Sequence, residues 1–274
     1  MNFSTELQQV IKMSKLPRVD LHIHSILSDG EGDWPEIIET AGKKGLELIA
    51  ITDHFDPGDP NNKNYFNGDP QSYTETIQQK LKDNTFSGYP FLLTGIETGP
   101  WMREGAPEFC EFVIGSVHYL PHYPRYRSIK KDLYNEDYWE EYKAAVLALA
   151  ANPFVDILGH LEGYLPLTPL LDRPTSFDER REMEREVAKK YFDTLFWEKL
   201  IRRMVAKRKT LEIHGMSQTP RPQYIKMAVE AGVTVSIGSD AHQLIDIGRI
   251  DWCLEVLEFY GVGKAQLFTG RPPK

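Results

Sequence analysis

The chain has 274 residues, 41% hydrophobic and 26% charged, an ordinary soluble globular balance that argues against a disordered or membrane-embedded protein. Its formal net charge of −8 argues against broad adhesion to nucleic acid or anionic membranes and leaves room only for a local basic groove. Two cysteines, Cys110 and Cys253, are too few for a disulfide framework and lack metal-ligand spacing, so buried small hydrophobes are expected.

In chain order, residues 1–18 contain no apolar core of signal-peptide length, and no later apolar run is long enough to span a membrane. A reducing cytoplasm is therefore the expected location. Residues 19–23 read as a strand, and 34–44 as a helix with Asp33 at its N-cap and Pro35 in its first turn. Gly45 stands where a C-cap glycine belongs, and 47–52 is a second strand. Residues 56–70, rich in Asn, Asp, Gly and Pro, form a long loop. A helix at 72–83 follows, then strands at 91–94 and 112–117, a helix at 136–151 and a strand at 155–158. The charged stretch 178–209 reads as one long or two short helices, before a strand at 210–213, a helix at 222–231, a strand at 233–237 and a last helix at 250–260.

Strands that mostly alternate with helices predict a parallel sheet. Seven of them suggest an α/β fold closed into a distorted (β/α)7 barrel, with an open doubly wound sheet as the competing architecture. No repeat or linker divides the chain, so residues 1–274 are expected to form a single domain.

Six of the eight histidines fall at or just past the C-terminal ends of these strands: His22, His24, His54, His118, His160 and His242. That rim is where barrels and open α/β sheets place their chemistry. Asp20, Asp29, Asp53, Glu97 and Asp240 stand at equivalent points. Side chains alternate along a strand, so His22 and His24 can point to one face and bind one cation, with Leu21 and Ile23 packed on the other. Asp20 shares the histidine face and could orient an imidazole from behind. Ser28-Asp29-Gly30 offers a tight turn that returns a carboxylate to the site, and Asp240 and His242 form a further pair. Mixed imidazole and carboxylate ligands suit zinc, manganese or iron rather than calcium.

Asp20-Leu21-His22-Ile23-His24, Ser28-Asp29-Gly30, Thr52-Asp53-His54 and Gly238-Ser239-Asp240-Ala241-His242 resemble motifs of the polymerase and histidinol phosphatase (PHP) family. Gly95-Ile96-Glu97, Gly115-Ser116-Val117-His118 and Gly159-His160 match its intermediate motifs in order, so the likeness runs from about Val19 to His242. Within the family the chain is most similar to the stand-alone histidinol-phosphatase branch, notably over residues 112–118. The resemblance implies a metal site at the rim of a distorted seven-stranded barrel, carrying two or three divalent ions. By that likeness His22, His24, Glu97 and Asp240 hold the first ion. Glu97 bridges to a second, completed by His118 and His160, and Asp29, His54 and His242 hold the third. Glu97, Asp240 and His242 are the expected catalytic residues among them. The implied activity is hydrolysis of a small phosphomonoester, histidinol-phosphate-like or related, by metal-activated hydroxide. A nuclease or phosphodiesterase acting on nucleotides or single-stranded nucleic acid, and a non-catalytic metal-stabilised scaffold, are the alternatives.

Arginine matches phosphate geometry. Arg173 and Arg221, on the loops after the fifth and sixth strands, are the leading substrate contacts, with Arg103, Arg125 and Arg127 behind them. His214, ending the sixth strand, is a third candidate contact; the histidinol-phosphatase branch tends to carry asparagine there, a departure that counts against histidinol phosphate itself. His122 has no assigned part. The expected partner is a small phosphorylated substrate, with neither nucleic acid nor a membrane.

Overall fold

A computed structural model of the protein describes residues 16–56, 70–83, 90–100, 102, 106–120 and 131–270. The expected loop at 56–70 lies almost wholly outside these residues, as do Arg103, His122, Arg125 and Arg127.

Seven strands pair in parallel and in chain order: β1 (Val19–Ile23), β2 (Leu48–Ile51), β3 (Phe91–Thr98), β4 (Phe112–Gly115), β5 (Ile157–Leu158), β6 (Thr210–His214) and β7 (Thr234–Gly238). The first and last strands meet just past their ends. Asp240 N donates to His22 O, and His24 N to Ala241 O, each at 2.9 Å. The sheet therefore curls into a nearly closed, distorted (β/α)7 barrel rather than an open doubly wound sheet. The distortion is visible in β5, which contributes only Ile157–Leu158, and in a register slip of β1 against β2 between Asp20 and Ile23.

Seven helices are described: α1 (Trp34–Lys43), α2 (Pro70–Asp83), α3 (Glu136–Leu149), α4 (Phe177–Tyr191), α5 (Thr194–Lys207), α6 (Pro222–Glu230) and α7 (Asp251–Phe259). α1 starts where expected, because Asp33 and Glu36 form a reciprocal capping box. Its buried residues Trp34, Ile37, Ile38 and Ala41 follow helical spacing. The charged stretch resolves into α4 and α5, since the Asp193 side chain accepts from Phe196 N and starts a new helix. Between β3 and β4 the described residues include no helix.

Strand residues alternate between two apolar clusters. Val113, Leu211 and Val235 join the large one shared with the helices, while Phe112, Ile114, Ala50, Ile157 and Leu21 form a small one on the opposite face. Leu21 and Ile23 were expected to share a face; the slip in β1 places Leu21 in the small cluster and Ile23 in the large one. Cys110 and Cys253 are both buried, and neither is in a disulfide among the described residues. Among the described residues no helix is long and apolar enough to cross a membrane.

Candidate metal centre

All nine expected ligands gather at the C-terminal ends of the strands, around Glu97. This residue lies inside β3, which runs to Thr98 rather than ending at Thr94. Strand pairing of Gly95 with Phe112 carries β3 past the glycine, where a side chain would meet Phe112 O and Thr52 Cγ2 at 3.0 Å. Glu97 is 1% exposed and its two oxygens face opposite ways. Oε1 lies 2.9 Å from His160 Nε2 and 3.2 Å from His118 Nε2. Oε2 lies 3.5 Å from Nε2 of both His22 and His24, and 3.1 Å from His54 Nδ1. A carboxylate so placed can bridge two cations.

Asp240 Oδ1 completes the first group, 3.1 Å from His24 Nε2 and 3.5 Å from His22 Nε2. Asp29 organises the outer group: Oδ1 is 3.2 Å from His242 Nε2, and Oδ2 is 3.7 Å from His54 Nε2. Three sets of potential ligand atoms result: His22, His24, Glu97 and Asp240; His54, Glu97 and His118; and His24, Asp29, His54 and His242. His54 thus stands between two sets, whereas the family likeness had given it to the third ion alone.

The chemistry of these atoms fits a cation. His22 Nε2, His24 Nε2 and Asp240 Oδ1 are buried and have no hydrogen-bond partner, an expensive arrangement unless something they can ligate is there. Three convergent lone-pair donors of this kind, one of them anionic, match a transition-metal site.

Neighbouring groups hold the ligands in place. Asp53 accepts from Ser25 N, Ser25 Oγ and Ser28 Oγ at 2.7, 2.8 and 2.7 Å, pinning the turn that presents Asp29. Gly30 lies against β1 so closely that a Cβ would sit 2.2 Å from His24 O. Asp20 accepts from Ser239 N at 2.9 Å, Ser239 Oγ at 2.7 Å and Gly248 N at 2.8 Å. It therefore shapes the segment carrying Asp240 and His242 instead of orienting an imidazole. Glu212, which sequence reasoning passed over, receives His22 Nδ1 at 2.7 Å. The available signal was a carboxylate between Leu211 and Ile213 inside a predicted strand, a residue type rarely buried without a partner.

The expected substrate contacts are placed differently. Arg173 is exposed and paired with Glu179 at 2.9 Å, next to the N-terminus of α4. Arg221 is engaged with the buried Glu162: Nη2 donates to Oε1 at 2.8 Å and the backbone N to Oε2 at 2.8 Å. Its Nη2 also donates to the carbonyls of Ala188 and Phe192. His214 is fully buried, with Nε2 3.4 Å from Asp240 Oδ2. These partners engage Arg221 and His214 inside the protein, whereas the ion pair of Arg173 lies on the surface.

Charge in the centre is strongly shaped by proximity. Burial opposes ionisation of Glu97 and Asp240, yet the surrounding histidines hold both well below the usual carboxylate range. Burial likewise opposes protonation of His22, but Glu212, Asp240 and Glu97 raise it well above normal. His242, against its own burial, is pushed up to about 9 by Asp29 and Asp240. Burial and the neighbouring His24 press His54 down to about 3. A raised pKa means a bound proton at neutral pH, which a cation must displace from the ligating nitrogen. Cation binding should therefore release protons and tighten as pH rises from about 6 toward 9. Titration calorimetry in buffers of different ionisation enthalpy reads the proton count; binding with no proton release and no pH dependence would contradict the assignment.

Comparison with known proteins places this geometry. The family model described as PHP domain matches residues 20–215. A probable phosphatase of Caldanaerobacter subterraneus subsp. tengcongensis is 31% identical over 252 residues, covering 88% of this chain and 82% of that protein. A DNA polymerase/3′-5′ exonuclease of Bacillus subtilis is 24% identical over 236 residues, 82% of this chain but 34% of that protein. The fold is similar to the crystal structure of histidinol phosphate phosphatase from Lactococcus lactis subsp. lactis, complexed with zinc, L-histidinol and phosphate. The TM-score is 0.61 at 23% identity, over 89% of this chain and 93% of that one.

Proposed function

Because the chain belongs to the PHP domain family, we propose that it hydrolyses a small phosphomonoester using two or three zinc, manganese or iron ions held by His22, His24, Asp29, His54, Glu97, His118, His160, Asp240 and His242. The observation that carries this reading is the trio of buried, unpartnered ligand atoms, His22 Nε2, His24 Nε2 and Asp240 Oδ1, beside the Glu97 carboxylate, which is shared with one further set of potential ligands, His54 and His118. Bound together, such cations polarise phosphoryl oxygens and lower the pKa of water into the neutral range.

The protein's own residues divide the work by depth. His22, His24, Glu97 and Asp240 form a buried floor. The side chains of Asp29, His242 and His118 are 39%, 34% and 26% exposed and form the lip where a phosphate would arrive. The three carboxylates Glu97, Asp240 and Asp29 against two or three dications leave the centre with a net charge of about +1 to +3. That charge can grip a phosphoryl group without an arginine, consistent with the engagement of Arg173 and Arg221 elsewhere. The probable-phosphatase relative supports the class of reaction.

A panel of phosphomonoesters, nucleotides and single-stranded oligonucleotides, assayed after reconstitution with each metal, tests the reading through kcat/KM. A clear preference for small phosphomonoesters is expected. Faster, salt-sensitive turnover of oligonucleotides would replace it with the nuclease reading that the polymerase/exonuclease relative represents. No turnover with any of them would leave the scaffold reading.

A further inference from the structure

We propose that β6 is the orienting strand of the metal centre, with Glu212 and His214 acting as positioning residues that bind no ion themselves. Among the described residues, every other strand or the segment just past it supplies one of the nine proposed ligands, and β6 supplies none. It instead carries two buried polar side chains two positions apart, which alternation places on one face.

Each of them holds the far side of a ligand. Glu212 Oε1 accepts from His22 Nδ1 at 2.7 Å. An ionised carboxylate can only accept there, so Nδ1 keeps its proton and Nε2 is the nitrogen turned toward Glu97 and Asp240, free to ligate once a cation displaces any proton it carries. Glu212 Oε2 accepts from the backbone N of His160 at 2.6 Å. At His214, Ser217 N donates to Nδ1 at 3.1 Å, which assigns the proton of a neutral ring to Nε2. That proton points to Asp240 Oδ2 at 3.4 Å and leaves Oδ1 for the ion.

Two further observations point the same way. His160 and Asp240 have φ of 25° and 57°, the left-handed region that side-chain-bearing residues rarely occupy. Such conformations persist where their surroundings hold them, and here β6 contacts both residues. The space for Glu212 is also built in. A Cβ on Gly238 would lie 2.5 Å from Glu212 Oε1 and 2.6 Å from His22 Cβ.

The inference rests on the metal centre proposed above, and the test separates the two. Zinc affinity is measured by chelator competition for the wild type, Glu212→Gln, His214→Leu and His214→Gln, with melting curves recorded in excess chelator. A glutamine at 212 can accept from His22 or from His160 N, not from both, because its other terminus is a donor. Glu212→Gln and His214→Leu should each weaken the tightest zinc by about 10–100-fold. His214→Gln, which places an amide N–H near the Nε2 position, should recover most of the loss. Unchanged zinc affinity in Glu212→Gln, or a His214→Gln variant as weak as His214→Leu, would overturn the proposal. If His214→Leu does not fold, the near-isosteric Glu212→Gln decides it. A wild-type protein that binds less than one zinc would instead remove the metal centre itself.

Discussion

Glu97→Gln should lower kcat/KM by about a hundredfold or more, because even partners standing behind a ligand are worth about 10–100-fold. The two oxygens of Glu97 face separate groups of histidines, His118 and His160 on one side and His22, His24 and His54 on the other. An amide keeps the shape, but it removes the negative charge between two dications and turns one ligating oxygen into a donor. The loss should therefore appear as reduced metal content together with reduced turnover. His242→Ala, which removes a member of the outer set around Asp29 alone, should cost less of both. Elemental analysis alongside steady-state kinetics decides it: near-native turnover with full metal occupancy in Glu97→Gln would sink the bridging role.

The second large effect falls on stability. Arg221→Ala should destabilise the protein by about 3 kcal/mol, toward the lower end of the range for breaking a buried ion pair because the Arg221 side chain is 26% exposed. Its guanidinium joins Glu162, past β5, to the Ala188 and Phe192 carbonyls at the end of α4, and stacks 4.7 Å over the Tyr224 ring of α6. Without it, the Glu162 carboxylate keeps Trp197 Nε1 at 3.0 Å and the backbone N of residue 221, too little for a buried charge. The melting temperature should fall by roughly 6 °C or more, with kcat/KM little changed well below the transition. A phosphate-gripping arginine predicts the reverse, a large drop in kcat/KM at native stability, so one thermal melt and one kinetic series distinguish the two roles.

The candidate metal ligands were legible from the chain because each rests on a local rule. His22 and His24 share a face by strand alternation, Asp29 sits in a Ser-Asp-Gly turn, and the remaining ligands follow strand ends recognisable from apolar runs and turn residues. The helix start at Asp33 was readable for the same reason, as a capping side chain acts within a few residues. The β3 boundary was misjudged because glycine is a weak strand former on its own. Gly95 is held by pairing with β4, whose sequence lies some distance on.

Which ligands share an ion, and what stands behind them, depended on contacts between distant segments. Asp20 turned out to serve Ser239 and Gly248 rather than a histidine, across 219 and 228 positions of chain. Glu212 reaches back 190 positions to His22. Arg221 is matched to Glu162, an engagement that its residue type and loop position did not suggest. A side chain's chemistry and the face of the element it occupies are set by its near neighbours, and so the sequence by itself determined the succession of strands and helices along the chain and the candidate ligands. Whether a charge is free or already paired depends on which atoms the closed barrel brings within about 3–4 Å, and only the tertiary structure decided that.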